Sequence, residues 1–125
     1  MIWTLTHVAL GGAIGASLRY LANVAVMRSF GPGFPLATVL VNVAGSFLMG
    51  VLVVALAHKG GMRFAPFLIT GILGGFTTFS AFSLDALTLW ERGQPGLAAG
   101  YVVGSVVLSL AAIVAGVLTT RGIFA

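Results

Sequence analysis

The residues best suited to chemistry lie in one apolar stretch, residues 70–85, with the sequence TGILGGFTTFSAFSLD. Two adjacent glycines, Gly74 and Gly75, stand there beside several hydroxyl residues. A helix that only crosses lipid has no use for such a cluster, because unsatisfied backbone in hydrocarbon is strongly unfavourable. Non-helical backbone is tolerated where it packs in protein or lines a polar path. The stretch therefore predicts a membrane helix that is broken at a site.

Composition places the whole chain in a membrane. Of its 125 residues, 59% are hydrophobic and only 6% are charged, which is too few charges for the surface of a soluble domain. The length accommodates about four spans of about 20 residues each, with little left for loops. We predict an all-α membrane protein with a single domain, residues 1–125, whose third helix is broken near its middle. The four predicted transmembrane helices cover about residues 3–27, 36–57, 64–90 and 97–119.

The sequence lacks the signs of nucleic-acid binding and of catalysis. Its six basic residues are dispersed, so we expect no nucleic-acid partner despite the net charge of +4. There is no carboxylate pair and no metal-ligand cluster of His, Asp and Glu. The glycine-rich segments match neither a phosphate-binding loop nor a dinucleotide fingerprint. We predict that the protein is not an enzyme.

The second span carries polar residues on one face. Thr38, Asn42 and Ser46 recur every four residues, so a helix brings them together. A primary amide such as that of Asn42 must find partners inside a membrane. It either bonds to another helix, as polar residues in spans commonly do, or faces a permeant ion. The spacing leaves both interpretations open.

A second polar stripe and a pair of aromatic rings accompany it. Tyr101, Ser105 and Ser109 share one face of the fourth span, and Phe79 and Phe82 are three residues apart after the break. Neutral donors replace water around an anion without holding it too tightly, and the edge of a phenyl ring is electropositive. These residues are consistent with an anion path, although two phenylalanines at this spacing also pack together in ordinary helices.

The predicted spans include two charged residues, Arg19 and Asp85. Arg19 continues the row of Gly11 and Gly15 on the first span, where it either snorkels to the interface or stands at the mouth of an anion path. Asp85, the one acidic residue that could lie within a span, fits an interface position near a helix end. The glycine row, like the ridge at Gly96, Gly100 and Gly104, predicts close helix packing.

The loop charges and the break suggest how the chain assembles. Lys59, Arg63 and Arg121 lie on one side of the membrane and Arg28 and Arg92 on the other, which is a weak orientation bias. Such a chain can insert in both directions and pair as an antiparallel dimer, like an inverted repeat made from two copies. Carbonyls freed at the break could then bind a hard monovalent cation such as sodium on the dimer axis.

Three segments resemble a known family. GGAIGASLRY in the first span, VNVAGSFLMG in the second and GGFTTFSAFSLD in the third are similar to the Fluc (CrcB) family of small fluoride channels. The resemblance covers essentially the whole chain. It implies an antiparallel, dual-topology homodimer that passively exports fluoride and lowers its toxicity. It also implies a multi-pass location in the lipid of the bacterial inner membrane.

The resemblance also assigns residues. It implies a central structural sodium ion (Na+) at the dimer axis, held by the main-chain carbonyls of Gly74 and Thr77, and a vestibule position for Arg19. The residues that it places on the fluoride pathway are Asn42, Phe79, Phe82, Thr38, Ser80, Tyr101, Ser105 and Ser109.

Two other functions fit a small membrane protein with balanced loop charge. A dual-topology multidrug exporter would need an acidic residue in the membrane, for which Asp85 is the only candidate. A structural subunit of a larger membrane complex would conduct no ion by itself. Replacing Asp85 with Asn and measuring ion flux from purified protein separate these from a channel.

Overall fold

The computed structural model describes all 125 residues and is entirely helical. Its elements are α1 (Ile2–Phe30), α2 (Leu36–His58), a 3₁₀ turn (Met62–Phe64), a π-helical segment (Pro66–Leu73), α3 (Gly74–Phe76), α4 (Ser80–Glu91) and α5 (Pro95–Phe124). Four stretches are long and apolar enough to cross a membrane, and the third of these joins several elements between Met62 and Glu91. The predicted all-α architecture with a broken third span is confirmed.

Helix ends follow the proline and glycine residues of the loops. Pro95 is the first residue of α5, where its missing N–H is no loss, and Pro35 directly precedes α2. Gly31 and Gly93 follow α1 and α4 with φ of +74° and +77°, a conformation that residues with a side chain rarely adopt. The observed helices extend slightly beyond the predicted spans at one or both ends, because the flanking turns continue the helices toward the interface.

The third span packs against α1 through glycines, at the row where the sequence predicted close packing without identifying the partner helix. A Cβ added at Gly11 would overlap the Phe67 carbonyl oxygen and lie 2.9 Å from the Cα of Gly71. A Cβ at Gly15 would overlap the Ile72 carbonyl oxygen. The two backbones therefore touch along this row, which is the arrangement that small residues permit between membrane helices.

The helix preceding the break has an unusual conformation that the sequence did not predict. Residues Pro66–Leu73 form a π-helix, and the N–H of Gly74 donates to the carbonyls of Ile69 and Gly71 where it ends. π-Helical turns are rare and often occur at functional sites. Here the wider turn lies where α1 approaches most closely and directly before the break.

On the other side of the bundle, α2 packs against α5. Gly50 and Gly116 mark the crossing, since a Cβ added at Gly50 would lie 2.9 Å from the Val117 nitrogen. The predicted glycine ridge of the fourth span is different. A Cβ added at Gly96, Gly100 or Gly104 would meet no atom within 4 Å, so this ridge packs against nothing within the chain.

Few residues are buried, as expected for helices whose apolar faces meet lipid. Only 15 of 125 residues are buried, and many large hydrophobic side chains are exposed on the outer faces. The largest fully buried side chains are Tyr101 and Leu89, which pack with Phe82 and Ala98 where α4 meets α5. This small core fixes α4, and hence the residues just after the break, against the fourth span.

Candidate functional site

The third span is interrupted at residues 77–79. Thr77 is extended, with φ of −86° and ψ of 158°, and α4 begins again at Ser80. The Thr77 N–H and hydroxyl both donate to the Leu73 carbonyl, at 3.0 and 2.9 Å. The Thr78 hydroxyl oxygen accepts the Ala81 N–H at 3.1 Å and so satisfies a free donor at the start of α4. Side chains of the break itself thus end one helix and begin the next.

Two neighbouring helices hold the interrupted backbone. The Asn42 side-chain amide on α2 donates to the Thr78 carbonyl at 2.9 Å and accepts the Thr78 N–H at 2.7 Å. On α1, the Arg19 Nε donates to the Gly75 carbonyl at 3.1 Å. Both side chains are half-buried. They satisfy backbone groups that the break removes from the helical pattern, as buried backbone requires.

Two other carbonyls at the break remain unengaged. No backbone N–H and no side chain donates to the carbonyl oxygens of Gly74 and Thr77, whereas the intervening Gly75 carbonyl accepts Arg19. Gly74 is also exposed. Backbone carbonyls at an unwound segment are the hard oxygen ligands that small monovalent cations take in membrane proteins. The donor set at the break therefore fits the sodium ion that the sequence resemblance implies.

A cavity of about 560 Å³ opens beside the break, on the side away from α1. Gly45 on α2 lines it and lets the Thr77 side chain approach this helix, since a Cβ there would overlap the Thr77 methyl group. No charged side chain lines the cavity, and its polar surface consists of hydroxyls, an amide and backbone. The lining residues are Asn42, Gly45, Ser46, Met49, Gly74, Thr77, Thr78, Phe79, Phe82, Ser105, Val106, Ser109, Leu110 and Ile113.

An unsatisfied hydroxyl lies on the cavity wall. Ser105 is buried, and its Oγ has no hydrogen-bond partner in the structure. The other buried aliphatic hydroxyl, that of Thr120, donates to the Gly116 carbonyl at 2.8 Å. Buried hydroxyls without partners are uncommon because each one loses its hydration without replacement. Ser105 is one of the residues that line the cavity, and the proton of its hydroxyl has no acceptor within the chain.

A row of aromatic rings leads from the cavity into the core. The Phe79 and Phe82 ring centroids are 5.4 Å apart, and those of Phe82 and Tyr101 are 5.3 Å apart. Phe34 meets Tyr101 edge to face at 5.5 Å. Phe82 and Tyr101 are buried, whereas Phe79 is 78% exposed although it lines the cavity. The open end of the row is thus at the break.

Beyond the row lies a polar cluster that the sequence analysis missed. The Asp85 carboxylate oxygen Oδ2 accepts the Thr38 hydroxyl at 2.7 Å and the Tyr101 hydroxyl at 3.1 Å. A second, smaller cavity of about 230 Å³ borders this cluster and is also lined by Arg92. The sequence analysis placed Asp85 at an interface position near a helix end and named no partner for it. The signal was present in part, since an acidic residue within a span almost always has a partner.

The structure thus divides the residues of the predicted pathway into groups. Thr38 and Tyr101 lie together at Asp85, behind the buried ring of Phe82. Ser80 is exposed and lies 3.4 Å from the Thr78 hydroxyl, without lining either cavity. The predicted residues that the large cavity brings together are Asn42, Phe79, Phe82, Ser105 and Ser109, with Gly74 and Thr77 of the predicted sodium site.

Several named proteins are similar to this chain over almost its whole length. A protein of Cereibacter sphaeroides named "Fluoride-specific ion channel FluC" is 70% identical over 122 residues, 98% of each chain. Proteins of the same name from Paracoccus denitrificans and Agrobacterium fabrum are 60% and 52% identical, over 98% and 94% of this chain. They are matched over 98% and 95% of their own lengths.

A family model points the same way. The family described as "CrcB-like protein, Camphor Resistance (CrcB)" matches residues 6–117, which include the break and all residues of the predicted site. The resemblance found in the three sequence segments is therefore confirmed. With four membrane-spanning stretches and this match, the chain is a multi-pass membrane protein that belongs to the CrcB family.

Proposed function

We infer that the protein is a passive, fluoride-selective ion channel, and not an enzyme, that lets cells release fluoride across the inner membrane and so lowers fluoride toxicity. The names of its relatives support fluoride as the ion. The observation that carries the proposal is the cavity of about 560 Å³ beside a broken membrane helix, lined without a charged side chain. Neutral donors there can replace part of an anion's hydration shell.

The donors and rings form a path that an anion can follow. Ser105 offers a hydroxyl that has no other partner, and Ser109 lies one helical turn further along the same cavity. Phe79 and Phe82 line the cavity, and the edge of a phenyl ring, where the quadrupole is positive, suits an anion. A small hard anion moves between such weak sites more readily than past a fixed cation, which would retain it.

Thr38 and Tyr101 join this path in a different way. Each hydroxyl has one proton, and each uses it to donate a hydrogen bond to Asp85. They donate to fluoride only by turning away from the carboxylate, which then loses those bonds. In this proposal Asp85 orients the Thr38 and Tyr101 hydroxyls by accepting their hydrogen bonds, and it does not contact the anion.

We propose that the working unit is an antiparallel dimer of two oppositely inserted copies. The large cavity is an open groove in one chain, and Phe79 beside it is 78% exposed. A second copy on this face would close the groove into a pore. The balance of basic residues at the two membrane sides supports insertion in both directions.

The same arrangement favours a central sodium ion. The Gly74 and Thr77 carbonyls would hold it, because both lie at the break and neither accepts a hydrogen bond. Sodium would supply a fixed positive charge that joins the two copies and balances their carbonyl dipoles. Purifying the protein with N-methylglucamine in place of sodium should lower its thermal stability. An unchanged unfolding midpoint without sodium would count against the site.

Arg19 is suited to the vestibule of this pore. Its guanidinium is half-buried on α1 and is anchored to the Gly75 carbonyl. A cation at that position raises the local concentration of anions without lining the narrow path. The effect is expected to weaken with ionic strength.

The experiment that tests the proposed function follows anions leaving liposomes. Purified protein is reconstituted in vesicles loaded with potassium fluoride or potassium chloride, and valinomycin dissipates the charge. An ion-selective electrode then records the efflux. We expect rapid fluoride efflux without chloride efflux, and efflux of neither anion would refute the channel.

The multidrug-exporter alternative depends on Asp85. That carboxylate is bonded to two hydroxyls and borders only the smaller cavity, so the large cavity has no acidic group for a cationic drug. Replacing Asp85 with Asn keeps one acceptor oxygen. We therefore expect the variant to retain fluoride selectivity.

A further inference from the structure

The amide of Asn42 makes two hydrogen bonds to the same residue. Its Oδ1 accepts the Thr78 N–H at 2.7 Å, and its Nδ2 donates to the Thr78 carbonyl at 2.9 Å. The side chain thereby pairs with the peptide backbone as a neighbouring strand would. Only one N–H of the amide is left for any other partner.

Thr78 is the residue whose position decides where the second half of the span begins. Its hydroxyl oxygen accepts the Ala81 N–H at the start of α4, and its chain neighbours Thr77 and Phe79 both line the large cavity. A shift of this residue would move the free carbonyl on one side and the exposed ring on the other. The position of Thr78 is therefore a condition for the geometry of the whole site.

The other anchor of the break differs from this one. Arg19 holds Gly75 by a single bond from α1, before the interruption. Asn42 holds Thr78 from α2, within the interruption, where no helix supplies partners to the backbone. An unpaired N–H and C=O there would be unfavourable in a membrane interior, and the chain could recover them by rewinding into helix.

We propose that Asn42 is a positioning residue, whose amide keeps the third span unwound at Thr78 and so sets the cavity geometry that conduction requires. This inference rests on the proposed function as a fluoride channel. The contribution of Asn42 to conduction comes through the backbone of Thr78 and not through a contact with the ion.

The test uses two variants that remove both bonds in different ways. Asn42→Leu keeps the branching of the side chain in an apolar and somewhat bulkier form that a membrane helix accommodates, and Asn42→Ala leaves more room in the path. Fluoride efflux from liposomes should fall by about tenfold in both, which is about 1.4 kcal/mol of barrier. If Asn42→Leu slowed efflux only by obstructing the path, Asn42→Ala, with its smaller side chain, would release fluoride at the normal rate.

A second readout observes the backbone without any fluoride present. Thr78–Phe79 is the only Thr–Phe peptide in the chain, so carbonyl-¹³C threonine with ¹⁵N phenylalanine labels this bond alone in solid-state NMR spectra of proteoliposomes. Both variants should shift the Thr78 carbonyl signal. Ser46→Ala is the matched control, since Ser46 lies one turn along α2 and lines the same cavity without a bond to the break. It should leave the signal in place.

The outcomes separate this inference from the function on which it rests. Slower efflux with an unchanged Thr78 signal would overturn the inference, because Asn42 would then act on the ion directly. A shifted signal with normal efflux would overturn it too, since conduction would then not depend on the hydrogen bonds between Asn42 and Thr78. Absent fluoride efflux from the unmodified protein would instead refute the channel itself.

Discussion

The third span has two faces that meet the rest of the chain in opposite ways. Toward α1 its backbone lies against the glycine row of Gly11 and Gly15, with no space for a single additional carbon. Toward α2 and α5 it leaves a cavity of about 560 Å³. Both faces belong to the same short segment before the break. Of the two adjacent glycines at its end, Gly75 lies on the face toward α1 and Gly74 lies on the face toward the cavity.

These adjacent glycines show why the motif needs both. A Cβ added at Gly75 would lie 2.7 Å from the Gly12 carbonyl oxygen, so this glycine is required for packing. Gly74 is exposed, and a Cβ there would meet only the Ile69 carbonyl oxygen, at 3.6 Å. Its small size keeps a free carbonyl accessible instead. One face of the span is closed so that the break is held rigidly, and the other is open so that the break can be used.

The largest loss of stability should come from adding a side-chain carbon where the third span packs against α1. Gly15→Ala places a carbon where the Ile72 carbonyl oxygen already lies and 2.8 Å from the Phe76 nitrogen. Neither backbone group can move without displacing the span, so we expect a loss of about 3 kcal/mol of stability. The thermal unfolding midpoint of the purified protein in detergent would measure it.

Gly12→Ala is the matched control on the same helix. A Cβ added at Gly12 meets no atom within 4 Å, so the variant should be as stable as the original or slightly more so. Equal destabilisation by the two variants would mean that α1 and the third span are not packed as described.

The next effect should come from the open face. Phe79→Ile removes an electropositive ring edge from the cavity, and we expect fluoride efflux from liposomes to slow by more than about tenfold. In the single chain the Phe79 side chain is 78% exposed, so a lower unfolding midpoint would report contacts with the second copy of the proposed dimer. The measurement pairs the efflux rate with the unfolding midpoint.

Phe30→Ile controls for the loss of an exposed aromatic residue. Phe30 is 71% exposed at the end of α1 and lines neither of the two cavities described above. Its replacement should leave efflux unchanged. If both variants conducted fluoride normally, the aromatic row would not be part of the path.

A smaller reduction in fluoride efflux is expected from removing the positive charge of Arg19 on α1. Arg19→Gln removes a cation and its bond to the Gly75 carbonyl. Fluoride efflux should fall a few-fold at low ionic strength, and the difference should shrink in high salt as screening removes the field. Arg28→Gln, on the last turn of the same helix, is the control. A reduction that did not depend on salt would assign Arg19 a structural role alone.

The closed face could be predicted from the sequence, whereas much of the open face could not. Small residues four apart predict a contact whatever the partner helix, and Gly11 and Gly15 make that contact. Polar residues only predict a need for partners. Asn42 could have bonded to any helix, and its pairing with Thr78 depends on a backbone that departs from helix at that residue.

The Asp85 cluster shows the same limit. Thr38, Asp85 and Tyr101 come from three different helices, and their spacing along the chain carries no sign of their contact. Only helix packing brings them together. The π-helical segment was likewise absent from the pattern, since hydrophobic periodicity over eight residues does not distinguish it from an α-helix.

The smallest effect should appear at the buried hydroxyls. Ser105→Ala removes a hydroxyl without a partner, so stability should stay the same or rise by up to about 1 kcal/mol. Thr120→Ala removes the bond to the Gly116 carbonyl and should lower stability by about the same amount. Opposite signs from two similar deletions would identify Ser105 as a donor kept for the cavity rather than for the fold.

Fluoride itself sharpens that last comparison. An ion that binds the folded protein raises its unfolding midpoint, and the rise is larger when the ion binds more tightly. If Ser105 donates to fluoride, the added ion should stabilise the original protein more than Ser105→Ala, and should stabilise Thr120→Ala as much as the original. Equal stabilisation of all three would remove Ser105 from the path, even though its hydroxyl has no partner within the chain and the residue lines the cavity.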